Sequence, residues 1–149
     1  MKLTSMEEIL RFAIRKEADT AAFYRMAASR SNPGVKKMFE ELAKEEDGHR
    51  KKLEKFDPKA IEKVEIKETR GLGISELMED VPFTSEMSYG DLIRMAIKNE
   101  ERSQRLYAVT AQAVKESALK KLLLILAQEE STHKERLEKI YDKEILQEF

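Results

Sequence analysis

Apolar residues recur at three- and four-residue steps over four stretches, roughly 5–30, 35–55, 89–115 and 118–145, which predicts four amphipathic helices. The inward stripe of the first runs Ile9, Ala13, Glu17, Thr20, Tyr24, Ala27. That of the second runs Val35, Phe39, Leu42, Glu46, His49, Leu53, Phe56. The third reads Ile93, Ala96, Glu100, Ser103, Tyr107, Ala111, Val114, and the last Leu119, Leu122, Leu126, Glu130, His133, Leu137, Ile140. Each stripe is apolar except near its middle, where ionisable residues interrupt it.

Punctuation fits this division. Ser5-x-x-Glu8 has the form of a capping box, Ser88-x-x-Asp91 is a weaker version, and Ser117 can cap the last helix. Asn32-Pro33-Gly34 marks a turn between the first two helices, and Phe56-Asp57-Pro58 ends the second. In the segment of about 57–87, Ile61–Lys67 alternates and could be extended, and Ile74–Asp80 could form a short helix.

The chain also repeats itself. Arg11, Ala13, Ile14, Glu17, Tyr24 and Ala28 recur 83 positions later as Arg94, Ala96, Ile97, Glu100, Tyr107 and Ala111. At an offset of 84, Leu42, Ala43, Glu45, Glu46, His49 and Leu53 recur as Leu126, Ala127, Glu129, Glu130, His133 and Leu137. The offset changes between the helices of each pair, where a loop absorbs one residue. Residues 1–149 therefore read as one all-α domain, a four-helix bundle of two repeated helical hairpins (about 5–55 and about 89–145). One long crossover of about 57–87 joins them and must run the length of the bundle.

Composition narrows the classes. There is no cysteine, so thiolate metal sites, disulfides and a catalytic thiol are excluded. The net charge is −1 with both signs interleaved, which points away from nucleic acid and anionic membranes as partners. With no long apolar run and no leader-like start, a cytoplasmic location is expected. A charged fraction of 38% suits a helical protein with ion-pair networks.

The only two histidines, His49 and His133, each follow a glutamate by three residues, in LAKEEDGH (42–49) and LAQEESTH (126–133). On a helix this places Glu46 with His49, and Glu130 with His133, on one face. With Glu17 and Glu100, four glutamates and two histidines converge at one level of the interior. Four buried carboxylates repel one another or take up protons. Two divalent cations balance four carboxylates and two neutral imidazoles. Spacing makes Glu17 and Glu100 ligands of single metals and Glu46 and Glu130 bridges, with one histidine to each metal. Tyr24 and Tyr107 lie two turns beyond Glu17 and Glu100, either as core packing or as hydrogen-bond partners of a ligand glutamate. Glu45 and Glu129 also recur but fall off the stripe, either solvated or behind the ligands. Lys36, Lys37, Lys120 and Lys121 form a solvated face.

One Glu from each of two helices and a Glu-x-x-His from each of the other two resembles the ferritin-like di-iron and di-manganese proteins. The pattern Glu…Tyr followed by Leu-Ala-x-Glu-Glu-x-x-His is similar to the rubrerythrin branch. It falls on Glu17, Tyr24, Glu46 and His49, and again on Glu100, Tyr107, Glu130 and His133. The resemblance implies a ferritin-like bundle holding two Fe ions, with Mn as an alternative, at Glu17, Glu46, His49, Glu100, Glu130 and His133. It implies reduction of H2O2 or O2 by two electrons in the manner of a rubrerythrin peroxidase, with Tyr24 and Tyr107 beside the reacting centre. A ferroxidase or iron binder of ferritin type, or a metal-stapled non-catalytic bundle, shares the same ligands. The four-cysteine rubredoxin-like domain of full-length rubrerythrins has no counterpart here, so electrons come from an external donor such as a rubredoxin. The family's further glutamate, one turn along the third helix, also lacks a counterpart, since Ile97 and Ser103 stand on either side of Glu100. A homodimer is the expected assembly.

Overall fold

The computed structural model describes residues 3–56, 65–67, 77–78, 86–115 and 117–145. Four helices dominate: α1 (Met6–Ser29), α2 (Pro33–Glu54), α3 (Tyr89–Ala113) and α4 (Ser117–Glu144). Two short strands, β1 (Leu3–Ser5) and β2 (Glu65–Lys67), pair antiparallel, with Leu3 opposite Lys67. The fold is a four-helix bundle of two helical hairpins, in which α1 packs against α2 and α3 against α4. The alternation read over 61–67 is seen as strand at 65–67, while 61–64 lie outside the described residues. Of the short helix read at Ile74–Asp80, only Leu77 and Met78 are described, Leu77 as a buried helical residue.

The helix ends follow local chemistry. Ser5 Oγ accepts from the Glu8 backbone N–H at 3.1 Å, and Ser88 Oγ accepts from that of Asp91 at 3.1 Å. Helix α2 begins inside the expected turn. Asn32 caps it by accepting from Val35 N–H at 3.1 Å, and Pro33 takes the first helical position, where a missing N–H costs nothing. The same Asn32 amide donates to Glu144 on α4 at 3.2 Å, so one side chain ties two helix ends. Asn32→Ala should therefore lower stability by about 1 kcal/mol or slightly more. Thermal melting compared with an exposed control such as Lys36→Ala would show it.

Two apolar clusters fill the interior. Met6, Ile9, Phe12, Leu53, Leu106, Leu119 and Leu126 belong to one. Phe23, Phe39, Leu42, Leu92, Ile93 and Leu137 belong to the other. The stripes largely coincide with the buried faces, but in α4 Leu123 is buried and Leu122 only half-buried. At the C-terminus, Tyr141 accepts a hydrogen bond from Arg94 at 2.8 Å, and Ile145 lies where a Cβ on Gly90 would touch it at 3.6 Å. These residues cover the start of α3 in their own chain. No helix is long and apolar enough to cross a membrane among the described residues.

Candidate metal centre

Glu17 (α1), Glu46 and His49 (α2), Glu100 (α3), and Glu130 and His133 (α4) meet in the interior, each no more than 2% exposed. The structure brings all six sequence-predicted side chains together. His49 Nδ1 stands 3.3 Å from Glu130 Oε1, 3.4 Å from Glu17 Oε2 and 3.8 Å from Glu46 Oε1. His133 Nδ1 stands 2.8 Å from Glu46 Oε1, 3.3 Å from Glu130 Oε1 and 3.5 Å from Glu100 Oε2. The imidazoles stack with centroids 5.6 Å apart and planes inclined by 11°. Glu46 and Glu130 thus face both rings, while Glu17 and Glu100 face one each.

Each of the six turns toward the centre a buried atom with no hydrogen bond among the described residues, namely Glu17 Oε2, Glu46 Oε1, His49 Nδ1, Glu100 Oε2, Glu130 Oε1 and His133 Nδ1, and His133 Nε2, on the far side of its ring, is unpartnered as well. Buried polar atoms are ordinarily partnered, so six orphans aimed at one another are a donor set short of its acceptor. Among the described residues, two overlapping sets of four have ligand atoms within 4.8 Å of one another, Glu17, Glu46, His49 and Glu130, and Glu46, Glu100, Glu130 and His133, and a third set, His49, Glu130 and His133, links them. Oxygen and imidazole donors of this kind suit first-row divalent ions, so the residues fit the two-metal group.

Without metal the cluster holds protons. Burial works against charge at His49, but the adjoining carboxylates of Glu130 and Glu17 prevail and push the ring up to about 11. Burial opposes charge at His133 too, yet Glu100 and Glu130 raise it to about 10. Burial and the neighbouring charge of Glu130 lift the Glu100 carboxyl to about 8, and burial with the charges of Glu130 and Glu17 lifts Glu46 well above the usual range. Glu130 goes the other way, to about 2, because both imidazoles outweigh its burial.

The tyrosines reach across the bundle. Tyr24 of the first hairpin donates to Glu100 Oε1 of the second at 2.5 Å, and Tyr107 donates to Glu17 Oε1 of the first. Burial, followed by the charge of the glutamate each one bonds, raises both phenols well above their usual range, so they remain donors. The partner of each lies in the opposite repeat, which in-helix spacing cannot show. Behind the histidines, Glu129 Oε1 lies 3.2 Å from His49 Nε2, and Glu45 Oε1 lies 3.6 Å from His133 Nε2. Burial opposes charge on Glu45, but its hydrogen bond from Arg136 and the nearby His133 hold its carboxyl below the usual range. Asn99, which the sequence reading did not single out, is buried beside Glu100 and donates to Thr20 at 3.2 Å.

An antiparallel bundle with a carboxylate and histidine cluster between two apolar layers is the architecture of the ferritin-like class. The rubrerythrin family model matches residues 8–80 and 91–148, and the chain belongs to that family. A Thermotoga maritima protein described as ferritin-like and diiron-carboxylate shares the fold, with a TM-score of 0.77 and 21% identity over 95% of this chain and 97% of its own. A hypothetical protein of Pyrococcus furiosus is similar at a TM-score of 0.70 and 29% identity, over 91% of this chain and 87% of its own. Among curated proteins none matches.

Proposed function

We propose that the protein is a di-iron oxidoreductase that reduces hydrogen peroxide or dioxygen, with H2O2 as the favoured substrate. The observation that carries this reading is the set of six orphaned donor atoms, one from each of Glu17, Glu46, His49, Glu100, Glu130 and His133. Glu17 and His49 would hold one ion and Glu100 and His133 the other, with Glu46 and Glu130, which face both rings, serving both. A pair of ferrous ions bound there would provide the two electrons, and solvent the two protons, that convert one H2O2 to two waters.

The protein's own groups set the conditions. Tyr24 and Tyr107 fix the carboxylates of Glu100 and Glu17 through the oxygen that does not face the centre. The apolar layers on either side limit water and strengthen electrostatic interactions within the site. Electrons return from an external donor, for which a rubredoxin is the expected type, and Mn(II) is the alternative occupant. Ile97 and Ser103, standing where the family places a further glutamate, favour ferroxidase activity as the second reading.

Anaerobic titration of the ferrous protein with H2O2 separates these. We expect about two irons per chain, oxidised by about one peroxide, with full recovery over repeated cycles of re-reduction. Iron that leaves the site after each oxidation would support the ferroxidase. Two ions that stay bound and unreactive would sink both redox readings.

A further inference from the structure

We propose that Glu129 and Glu45 are positioning residues for the two ligand imidazoles, and that a clamp found, among the described residues, on one side only makes the His49 metal position the tighter one. The inference rests on the ligand assignment above. Each of these glutamates acts from the opposite hairpin, Glu129 of α4 behind His49 of α2 and Glu45 of α2 behind His133 of α4. Both histidines present Nδ1 to the centre, so Nε2 carries the proton and needs an acceptor. Such an acceptor fixes the ring and its tautomer and raises its strength as a ligand.

The two acceptors are not equivalent. Glu129 is at hydrogen-bonding distance from His49 Nε2, 3.2 Å, while Glu45 stands 3.6 Å from His133 Nε2, which has no hydrogen-bond partner among the described residues. Arg136 explains the difference. Its Nη1 donates to Glu45 Oε2 at 2.8 Å and its Nη2 to Glu41 Oε2 at 3.3 Å. Glu45 therefore shares its charge with a guanidinium and is drawn toward the surface. At the offset of 84 that relates α2 to α4, Glu41 corresponds to Ile125, Glu45 to Glu129, and Arg136 to Lys52. Ile125 offers no carboxylate and Lys52 has no forked donor, so the second hairpin cannot build the same clamp. This also accounts for a 46% exposed isoleucine at a position where the other repeat carries a clamped glutamate. The stronger acceptor serves His49, so the group Glu17, Glu46, His49 and Glu130 fills first.

Anaerobic titration of the metal-free protein with Co(II), followed by calorimetry and visible absorption, tests this. Two steps differing about tenfold or more in affinity are expected, with Glu129→Gln weakening the tighter one about 10- to 100-fold. Glu45→Gln should affect only the weaker step, and by less. Arg136→Leu should strengthen the weaker step and bring the two together. In the proton spectrum of the Co(II) protein, Glu129→Gln should move one exchangeable imidazole N–H signal and leave the other. Melting of the metal-free variants serves as the control, because a merely structural role would alter melting and leave the ratio of the steps unchanged. Two equal steps in the parent protein, or a tighter step indifferent to Glu129→Gln, would overturn the inference. Failure to bind Co(II) at all would instead overturn the metal assignment beneath it.

Discussion

Freed of metal, the protein is expected to be most stable at about pH 5 and to melt on the order of 10 °C lower at about pH 9, whereas the metal-loaded protein should gain stability over that interval. The histidines set part of the trend. In the fold His49 and His133 titrate at about 11 and 10, against 6.5 ordinarily, so their contribution is complete below pH 6.5 and fades as the pH climbs toward those values. Glu100, raised from 4.5 to about 8, acts in the same direction, stabilising below pH 4.5 and losing that contribution by about pH 8. Glu46, also raised, adds to it. Glu130 opposes them only in acid, since its carboxylate at about 2 is lost as the pH falls through that value. The maximum therefore lies between the acid loss at Glu130 and the alkaline loss at the others. Metal ions need neutral imidazoles and ionised carboxylates, so they compete with these same protons. Binding should release about two to four protons per chain and strengthen with pH. Scanning calorimetry of chelated and Co(II)-loaded protein from about pH 5 to 9 would display the two opposed slopes. If the chelated protein became more stable with rising pH, the protons would not reside where the geometry puts them.

Glu46→Gln should raise the melting temperature of the metal-free protein and lower its affinity for metal by at least about 100-fold. The side chain is 1% exposed, and its Oε1 has no hydrogen bond. The neighbouring charges of Glu130 and Glu17 add to burial in disfavouring its ionised form. A neutral amide of the same shape spares the metal-free bundle the proton that this buried carboxyl must otherwise take up above its ordinary range. It also removes a carboxylate that faces both imidazoles, so both metal positions suffer and peroxide-driven oxidation should disappear. The combination is diagnostic. A residue serving only the fold would lose stability when replaced, while a surface residue would alter neither property. Melting curves with chelator, paired with Co(II) titration of the same variant, would reveal it. A variant that melted lower and still bound two ions would remove Glu46 from the centre.

The helices were legible because their signals are local. Periodicity marks the buried faces, and Ser5 and Ser88 mark where two helices begin, whereas Asn32-Pro33-Gly34 reads as a turn and is in fact the cap and first turn of α2. The six clustered side chains were legible for a second reason, since each breaks an apolar stripe at matching places in two repeats. Neither signal reaches across the bundle. Glu45 and Glu129 lie off the stripes of their own helices and reveal their role only when the opposite hairpin supplies His133 and His49. Tyr24 and Tyr107 share a face with Glu17 and Glu100, yet each bonds the glutamate of the other repeat. The choice of Leu123 over Leu122 depends on how α4 rotates against its neighbours. Likewise, alternation at 61–67 suggests extended chain but cannot name Leu3–Ser5 as the strand it joins.

The exchange of partners between repeats has a consequence for how such a centre can arise and change. The tyrosine and outer-glutamate contacts at the site are each given by one hairpin and received by the other, so a half-length chain pairing with its own copy about a two-fold axis would already present the full constellation. In that arrangement any substitution is made twice, and Arg136 could not face Glu41 without a second arginine facing a second glutamate. Covalent joining lifts this constraint. Lys52 and Ile125 can then stand where Arg136 and Glu41 stand in the other half, and the two proposed metal positions can acquire separate chemical identities inside a framework that stays nearly symmetric.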